Sequence, residues 1–304
     1  MIKVLTNDGL QQEAIDNLKL LGMEVTNYHY SKEELKNILK DFDVITIRSA
    51  TKIDSDILDS LTDESKLKLI IRAGVGVDNI DVPYAKNLGI EVRNTPNASS
   101  DSVAELAIAH MFSVARFLAD SNFTMRVGSW NKKEYQGIEL SGKTLGIIGM
   151  GRIGRALAKK ASAIGMNVVY YTIEGKYNDL TYKFEPLEEL LRTSDFISLH
   201  VPYDKKIGPI IGRSQFELMK DGVYLINCAR GKVVDEDALL EALDNGRVAG
   251  AGIDVFEQEP TLNKRLINHK RVSVTPHIGA STKEAQDRIA NEVVNIIRNF
   301  FSVK

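Results

Sequence analysis

Short β-branched apolar runs alternate with helical apolar spacing from one end of this chain to the other, and that alternation admits few folds. Ile2–Leu5, Val44–Ile47 and Leu69–Ile71 have the length and composition of strands. Between the first two, Ser31-Lys32-Glu33-Glu34 has the pattern of a capping box, followed by Leu35, Ile38 and Leu39 at helical spacing. A second series starts at Thr144, with strands expected at Leu145–Ile148, Val168–Tyr171, Phe196–Leu199, Tyr224–Asn227, Gly252–Val255 and Val272–Val274. Such alternation predicts an α/β fold of parallel sheets covered by helices, with a Rossmann-type sheet in the second series. Between the series one long helix is expected, roughly Ser102–Met125, with Val103, Leu106, Ala107, His110, Met111 and Val114 on its apolar face. Ser281-Thr282-Lys283-Glu284 reads as another capping box, opening a last helix with Ile289, Val293, Ile296 and Ile297. Periodicity leaves open which sheet that helix covers.

The chain has 304 residues, enough for two domains that each bury a core. Hydrophobic residues make up 43% and charged residues 26%, ordinary globular usage that argues against disorder. A net charge of -2 with mixed signs gives no electrostatic reason for nucleic acid or membrane binding. The single cysteine, Cys228, rules out an intramolecular disulfide and a thiolate-built zinc site, and suits a reducing cytoplasm. The first residues read as a strand rather than a signal peptide, and no run approaches about 18 uncharged apolar residues. A cytoplasmic protein with no resident metal is expected.

Gly149-Met150-Gly151-Arg152-Ile153-Gly154 follows the strand Leu145–Ile148 and precedes a helical stretch with Ala156, Leu157, Ala161 and Ile164. Glycines there permit a tight turn and close backbone approach, and the helix start offers free N–H groups to a pyrophosphate. Strand before and helix after give the motif its context, so a dinucleotide site is expected. The acidic residue that binds the ribose hydroxyls of NAD should end the next strand. Thr172 stands there instead, with Glu174 two positions on. No arginine sits beside Thr172 to hold a 2′-phosphate, although Lys176 is near. NAD is the expected cofactor, and NADP is not excluded.

Four further segments carry a family likeness: Arg72-Ala73-Gly74-Val75-Gly76-Val77-Asp78-Asn79-Ile80-Asp81, Asn227-Cys228-Ala229-Arg230-Gly231, Gly252–Pro260 and Thr275–Thr282. With the glycine turn they make the chain resemble, over nearly its whole length, the D-isomer-specific 2-hydroxyacid dehydrogenases. Arg48-Ser49-Ala50-Thr51-Lys52 and the segment around Gly128-Ser129-Trp130 carry a closer likeness to the branch that acts on 3-phosphoglycerate in serine biosynthesis. The resemblance implies a dinucleotide domain, 96–282, inserted into a flavodoxin-like substrate domain, 1–95 plus 283–304. It also implies a homodimer or higher homo-oligomer formed through the long helix, and domain closure about hinges near Asn94–Ser99 and Thr275–Ser281. C-terminal regulatory domains are not expected.

Hydride exchange between a hydroxyacid and nicotinamide requires a carboxylate grip, a proton carrier and something to orient that carrier. Arg230 suits the first, because its planar fork binds carboxylate and carbonyl oxygens together. His277 suits the second, because imidazole works as acid and base near neutral pH. Glu259 suits the third, because a carboxylate on the far ring nitrogen fixes the tautomer. Each residue alone is ordinarily a surface ion pair, a solvated carboxylate or a turn cap; the joint pattern matches the family's catalytic arginine, glutamate and histidine. His200, Val201 and Pro202, at a strand end, are expected to line the cofactor cleft. Cys228, Ala229, Arg230, His277 and Gly279 join the cofactor-contacting set, and Asp254 resembles the residue that meets the nicotinamide amide. Cys228 reads as a small wall residue, and His29, His110 and His269 as structural or surface side chains.

A phosphorylated hydroxyacid or ketoacid needs extra cations. Arg48, Lys52 and Arg72 lie at strand ends of the first series and are the candidates. Gly74, Val75 and Gly76 offer backbone N–H groups to the carboxylate, and Lys132 is a further candidate, contributed by a partner subunit. A hydroxypyruvate/glyoxylate reductase and an NAD(H)-sensing corepressor-like binding protein are the alternatives.

Overall fold

A computed structural model of the chain describes residues 1–303. The chain forms two compact units, Met1–Ser99 with Ala280–Lys304, and Ser100–Gly279. It passes between them at 99/100 and 279/280, where the sequence suggests 95/96 and 282/283.

The first unit is a five-stranded parallel sheet of β1 (Lys3–Thr6), β2 (Glu24–Asn27), β3 (Val44–Ile47), β4 (Leu69–Arg72) and β5 (Glu91–Asn94), in the order β2-β1-β3-β4-β5. That is the flavodoxin-like order. Side chains alternate between two cores. Val4, Val44, Leu69 and Ile71 face one, while Leu5, Ile45, Ile47 and Ile70 face the other. Its helices are α1 (Gln12–Leu20), α2 (Lys32–Ile38), α3 (Ser55–Leu58), α4 (Val82–Asn87) and the last helix of the chain, Lys283–Phe300. That helix packs Ile289, Val293 and Ile297 into the first core, which answers the question its periodicity left open. Burial of each such side chain contributes about 1.5–3 kcal/mol. The box at Ser31 and Glu34 forms. The second one does not: Thr282 is the cap and accepts from Ala285 N–H, one residue later than the sequence suggests.

The second unit holds α5 (Ser100–Arg116), α6 (Leu118–Arg126), β6 (Thr144–Ile148), α7 (Arg152–Ala163), β7 (Asn167–Tyr171), β8 (Lys183–Phe184), α8 (Leu187–Thr193), β9 (Phe196–Leu199), α9 (Arg213–Leu218), β10 (Val223–Asn227), α10 (Glu236–Asp244), β11 (Val248–Ile253), α11 (Lys264–Ile267) and β12 (Val272–Val274). The last helix of the first unit is then α12. The sheet is parallel, in the order β12-β11-β10-β9-β6-β7-β8, a Rossmann order with one added strand. No single helix among the described residues is long and apolar enough to cross a membrane.

The long helix expected over Ser102–Met125 is two helices. Phe117 takes a left-handed conformation with φ 54°, and α6 leaves α5 at 66°. The Ala115 carbonyl accepts from Ile138 N–H at 3.0 Å, and Gly137 lets that segment come close. Every α6 side chain is at least partly exposed, so its apolar residues carry no core periodicity. Three strands escaped the sequence pattern, β2, β5 and β8, all at sheet edges and partly exposed. β11 begins at Val248, four residues before the expected Gly252, and Val255 lies beyond it.

Candidate active site

β6 stands between β9 and β7, where the strand order of the second sheet reverses. Ligands of open α/β sheets bind outside the carboxyl ends of strands at such a point. The glycine turn sits there. Gly149 has φ +98°, and a Cβ on it would lie 2.4 Å from the His200 carbonyl oxygen. A Cβ on Gly154 would lie 2.2 Å from the Gly149 carbonyl oxygen, so that glycine lets α7 pack close to the turn. Gly151 differs: among the described residues no heavy atom lies within 4 Å of where its Cβ would stand. The first turn of α7, Arg152-Ile153-Gly154, carries no acidic side chain, and Gly151 has none to cap it. Its N–H groups and the helix dipole therefore offer a cradle for a pyrophosphate.

At the end of β7, Thr172 is buried and its hydroxyl donates to the Glu174 carboxylate. That hydrogen bond, with one from the backbone, holds Glu174 below the usual carboxylate range. The loop thus returns an acidic group to the strand end that Thr172 occupies. At the end of β9, His200 Nε2 pairs with Ser198 Oγ at 2.9 Å, and its Nδ1 is buried without a partner among the described residues. Val201 packs behind Gly149, and Pro202 is exposed. These groups fit a bound dinucleotide.

Burial also pushes His200 from 6.5 down to about 4. Between those values the unfolded chain holds a proton that the folded chain refuses. Stability is fully present above about pH 6.5 and falls by about 3 kcal/mol as pH drops to about 4. Urea unfolding from about pH 7 to about pH 4.5 should show this loss, and His200→Gln should flatten it. Equal pH slopes in the two proteins would refute the assignment.

The catalytic candidates gather beyond β10, β11 and β12. After β10, Asn227 folds the turn on itself: its Oδ1 accepts from Ala229 N–H at 3.1 Å, and its Nδ2 donates to the Arg230 carbonyl at 2.8 Å. Arg230 Nη1 donates to the Ala229 carbonyl at 2.6 Å. After β11, Glu259 Oε1 accepts from Phe256 N–H at 3.1 Å. Its Oε2 lies 2.7 Å from His277 Nδ1. Partial burial works to raise Glu259, but the His277 hydrogen bond and charge, the Phe256 amide and the Arg230 charge together hold it below the ordinary range. With Nδ1 taken by Glu259, Nε2 is the His277 nitrogen left for a substrate. The structure therefore brings Arg230, Glu259 and His277 into one electrostatic unit.

His277 itself has φ 53°, uncommon for a side chain of its size. Asp254, 1% exposed, anchors its loop. Its Oδ1 accepts from Thr275 Oγ1 at 2.6 Å and Ile278 N–H at 2.8 Å, and its Oδ2 from Gly279 N–H at 2.9 Å. Asn227 and Thr275, which stood in the motif segments without a side-chain role, hold the turns that carry Arg230 and His277. An Asx turn was the available signal for Asn227. Cys228 is buried, and burial together with the Asp254 charge raises its thiol well above the ordinary range, which suits a wall and not a nucleophile.

The expected phosphate cations divide. Arg48 follows β3 and Arg72 ends β4, where Ile47 and Arg72 are register partners. The Arg48 backbone is tied by Asp8 at 2.6 Å and Asn79 at 2.7 Å. Arg48 lines a cavity of about 260 Å³ with Asp8, Gln11, Ala73 and Gln286. The Arg72 guanidinium lies against Gly74. The Val75 carbonyl accepts from Asn94, and Gly76 is partly exposed. Lys52 is exposed, and Lys132 lies in the second unit on an exposed turn. No group of three or more metal-ligating side chains is assembled among the described residues.

Comparison with known proteins adds an independent line. Residues 108–279 match the family described as D-isomer specific 2-hydroxyacid dehydrogenase, NAD binding domain. A hydroxypyruvate reductase of Thermotoga maritima is 46% identical over 299 residues, covering 97% of this chain and 97% of the relative. A D-3-phosphoglycerate dehydrogenase of Methanocaldococcus jannaschii is 43% identical, covering 98% of this chain and 58% of the relative. Among solved structures, D-lactate dehydrogenase from Aquifex aeolicus, complexed with NAD and lactic acid, superimposes with a TM-score of 0.84 at 34% identity, covering 99% of this chain and 95% of that one.

Proposed function

The chain belongs to the D-isomer specific 2-hydroxyacid dehydrogenases, NAD(P)-dependent oxidoreductases, and on that premise we propose that its substrate pair is 3-phosphoglycerate and 3-phosphohydroxypyruvate. The observation that carries this choice is the pair of cations at neighbouring strand ends, Arg48 in its cavity and Arg72 against Gly74. A dianionic phosphate needs such groups, and an unphosphorylated acid does not. Such an enzyme takes the first step of serine biosynthesis in the cytoplasm. Hydroxypyruvate is the second reading, favoured by the full-length likeness to the Thermotoga reductase.

Arg230 grips the substrate carboxylate and its C2 oxygen. His277 Nε2 takes the hydroxyl proton during oxidation and returns it during reduction, while Glu259 holds Nδ1–H and steadies the imidazolium. Bound NAD supplies the hydride acceptor. Reduction of 3-phosphohydroxypyruvate by NADH, measured beside hydroxypyruvate, tests the choice. A preference for the phosphorylated acid supports it. Equal or better turnover of hydroxypyruvate moves the protein to the second reading, and turnover of neither brings forward a binding role as an NAD(H) sensor.

NAD over NADP is proposed from the Thr172–Glu174 pair, whose negative charge opposes a 2′-phosphate. Glu174→Gln should raise NADPH affinity relative to NADH roughly tenfold, read by nucleotide fluorescence titration. An unchanged ratio would remove Glu174 from this role. A homodimer is proposed through α6 and the segment after it, where Leu118, Phe123, Met125, Val127 and Trp130 are exposed together in one short stretch.

A further inference from the structure

α5 grips the loop that carries His277 at both of its ends. At the far end, Ser102 Oγ donates to the Gly279 carbonyl at 2.7 Å. At the near end lies His110, 2% exposed, with Nε2 3.0 Å from Thr275 Oγ1 and Nδ1 3.1 Å from Ser273 Oγ. The proton positions follow from valence. The Thr275 hydroxyl has one proton and gives it to Asp254. Toward His110 it is therefore an acceptor, so Nε2 carries the ring proton. Nδ1 is then an acceptor and takes the Ser273 hydroxyl proton. Burial lowers the His110 pKa, with the Asp254 charge opposing it only in part, so the ring stays neutral in this tautomer.

Downstream of Thr275 the same chain reaches the catalytic residue. Asp254 accepts from Ile278 N–H and Gly279 N–H on one side of the loop, and its carbonyl accepts from His277 N–H at 2.8 Å. His277 sits in the middle with its positive φ, a conformation that persists only when its surroundings over-determine it. The sheet makes room for this arrangement. A Cβ on Gly252 would lie 2.5 Å from His110 Cβ, so a larger residue at that point of β11 would displace the ring.

We propose that His110 is a positioning residue for the proton carrier: through Thr275 and Asp254 it holds the 275–279 loop in the strained form that keeps His277 against Glu259. Its kinetic consequence rests on the dehydrogenase reading, whereas its structural consequence does not. His110→Leu fills the space and removes both hydrogen bonds. His110→Gln returns a donor near the Nε2 position. Thr275→Val cuts the chain one link further on and serves if His110→Leu does not fold.

The readouts are kcat, KM for the keto acid, NADH affinity, melting temperature, and the proton NMR signal of His277 Nδ1–H in its hydrogen bond to Glu259. In His110→Leu, kcat should fall about 10- to 100-fold with KM and NADH affinity nearly unchanged, and the Nδ1–H signal should be lost. Thr275→Val should behave alike, and His110→Gln should recover most of both. Wild-type kcat with an intact signal in folded His110→Leu or Thr275→Val would overturn the proposal. So would a His110→Gln as impaired as His110→Leu at equal stability. If the unaltered protein turns over no hydroxyacid, the dehydrogenase reading fails, and the NMR signal still decides the role of His110.

Discussion

Replacing His277 with alanine is expected to lower kcat by about 10²- to 10⁴-fold while leaving NADH affinity close to that of the unaltered protein. The expectation comes from the site's division of labour. The candidate pyrophosphate cradle is formed by Gly149, Gly151 and the first turn of α7, and His277 is not part of it. The proposed proton path depends on one imidazole, held through Nδ1 at 2.7 Å from Glu259. Glu259→Gln should cost less than His277→Ala, because an amide still meets Nδ1 without stabilising the imidazolium. Single-turnover reduction with NADH, beside a fluorescence titration of NADH, separates the two quantities. Activity of His277→Ala within tenfold of the unaltered protein would remove His277 from proton transfer.

The second large effect is expected from a methyl group. A Cβ on Gly231 would lie 1.8 Å from the Phe256 carbonyl carbon, 1.9 Å from its oxygen and 2.4 Å from Glu257 N. All three are backbone atoms, so no side-chain rotation relieves the overlap. Gly231→Ala must push the turn after β10 away from the segment after β11. Overpacking of this kind costs about 3 kcal/mol or more, above the usual range because the backbone itself has to move. The same displacement separates Arg230, one residue before Gly231, from Glu259, three residues after Phe256. A shift of about 1 Å costs roughly 100-fold in rate, so catalysis should fall even where the protein still folds. Denaturant unfolding and kcat measured on the same preparation check both halves. A stable Gly231→Ala with full activity would show that the two turns have freedom the geometry denies them.

Much of the candidate site was legible along the chain because its residues cluster in short motifs that follow strands. Arg230, Glu259 and His277 each stand a few residues beyond an apolar run, and parallel strands bring their carboxyl ends to one edge of a sheet. The glycine turn was legible for the same reason, and two of its glycines, Gly149 and Gly154, have separate steric duties, while the space beside Gly151 is open. Other features were hidden. β2, β5 and β8 are edge strands with polar or very short sequences, so no apolar run announces them. The start of β11 is masked by Gly250 and Gly252, which are small because α5 presses Val114 and His110 against them.

What the sequence by itself determined is therefore the alternation, the two parallel sheets and the dinucleotide turn, and it singled out the candidate for proton transfer. All of these are set by local propensity, period and motif within a few residues. Family likeness, not periodicity, placed α12 with the first sheet, and the tertiary structure alone decided that α5 breaks at Phe117, that Glu174 returns to Thr172, and that His110 joins Thr275 and Asp254 behind His277. Except for the two-residue return of Glu174, these depend on residues distant in sequence. Their side chains meet only after burial of the sheet cores has brought the elements together, and hydrogen bonds between buried groups then fix which partners each one takes.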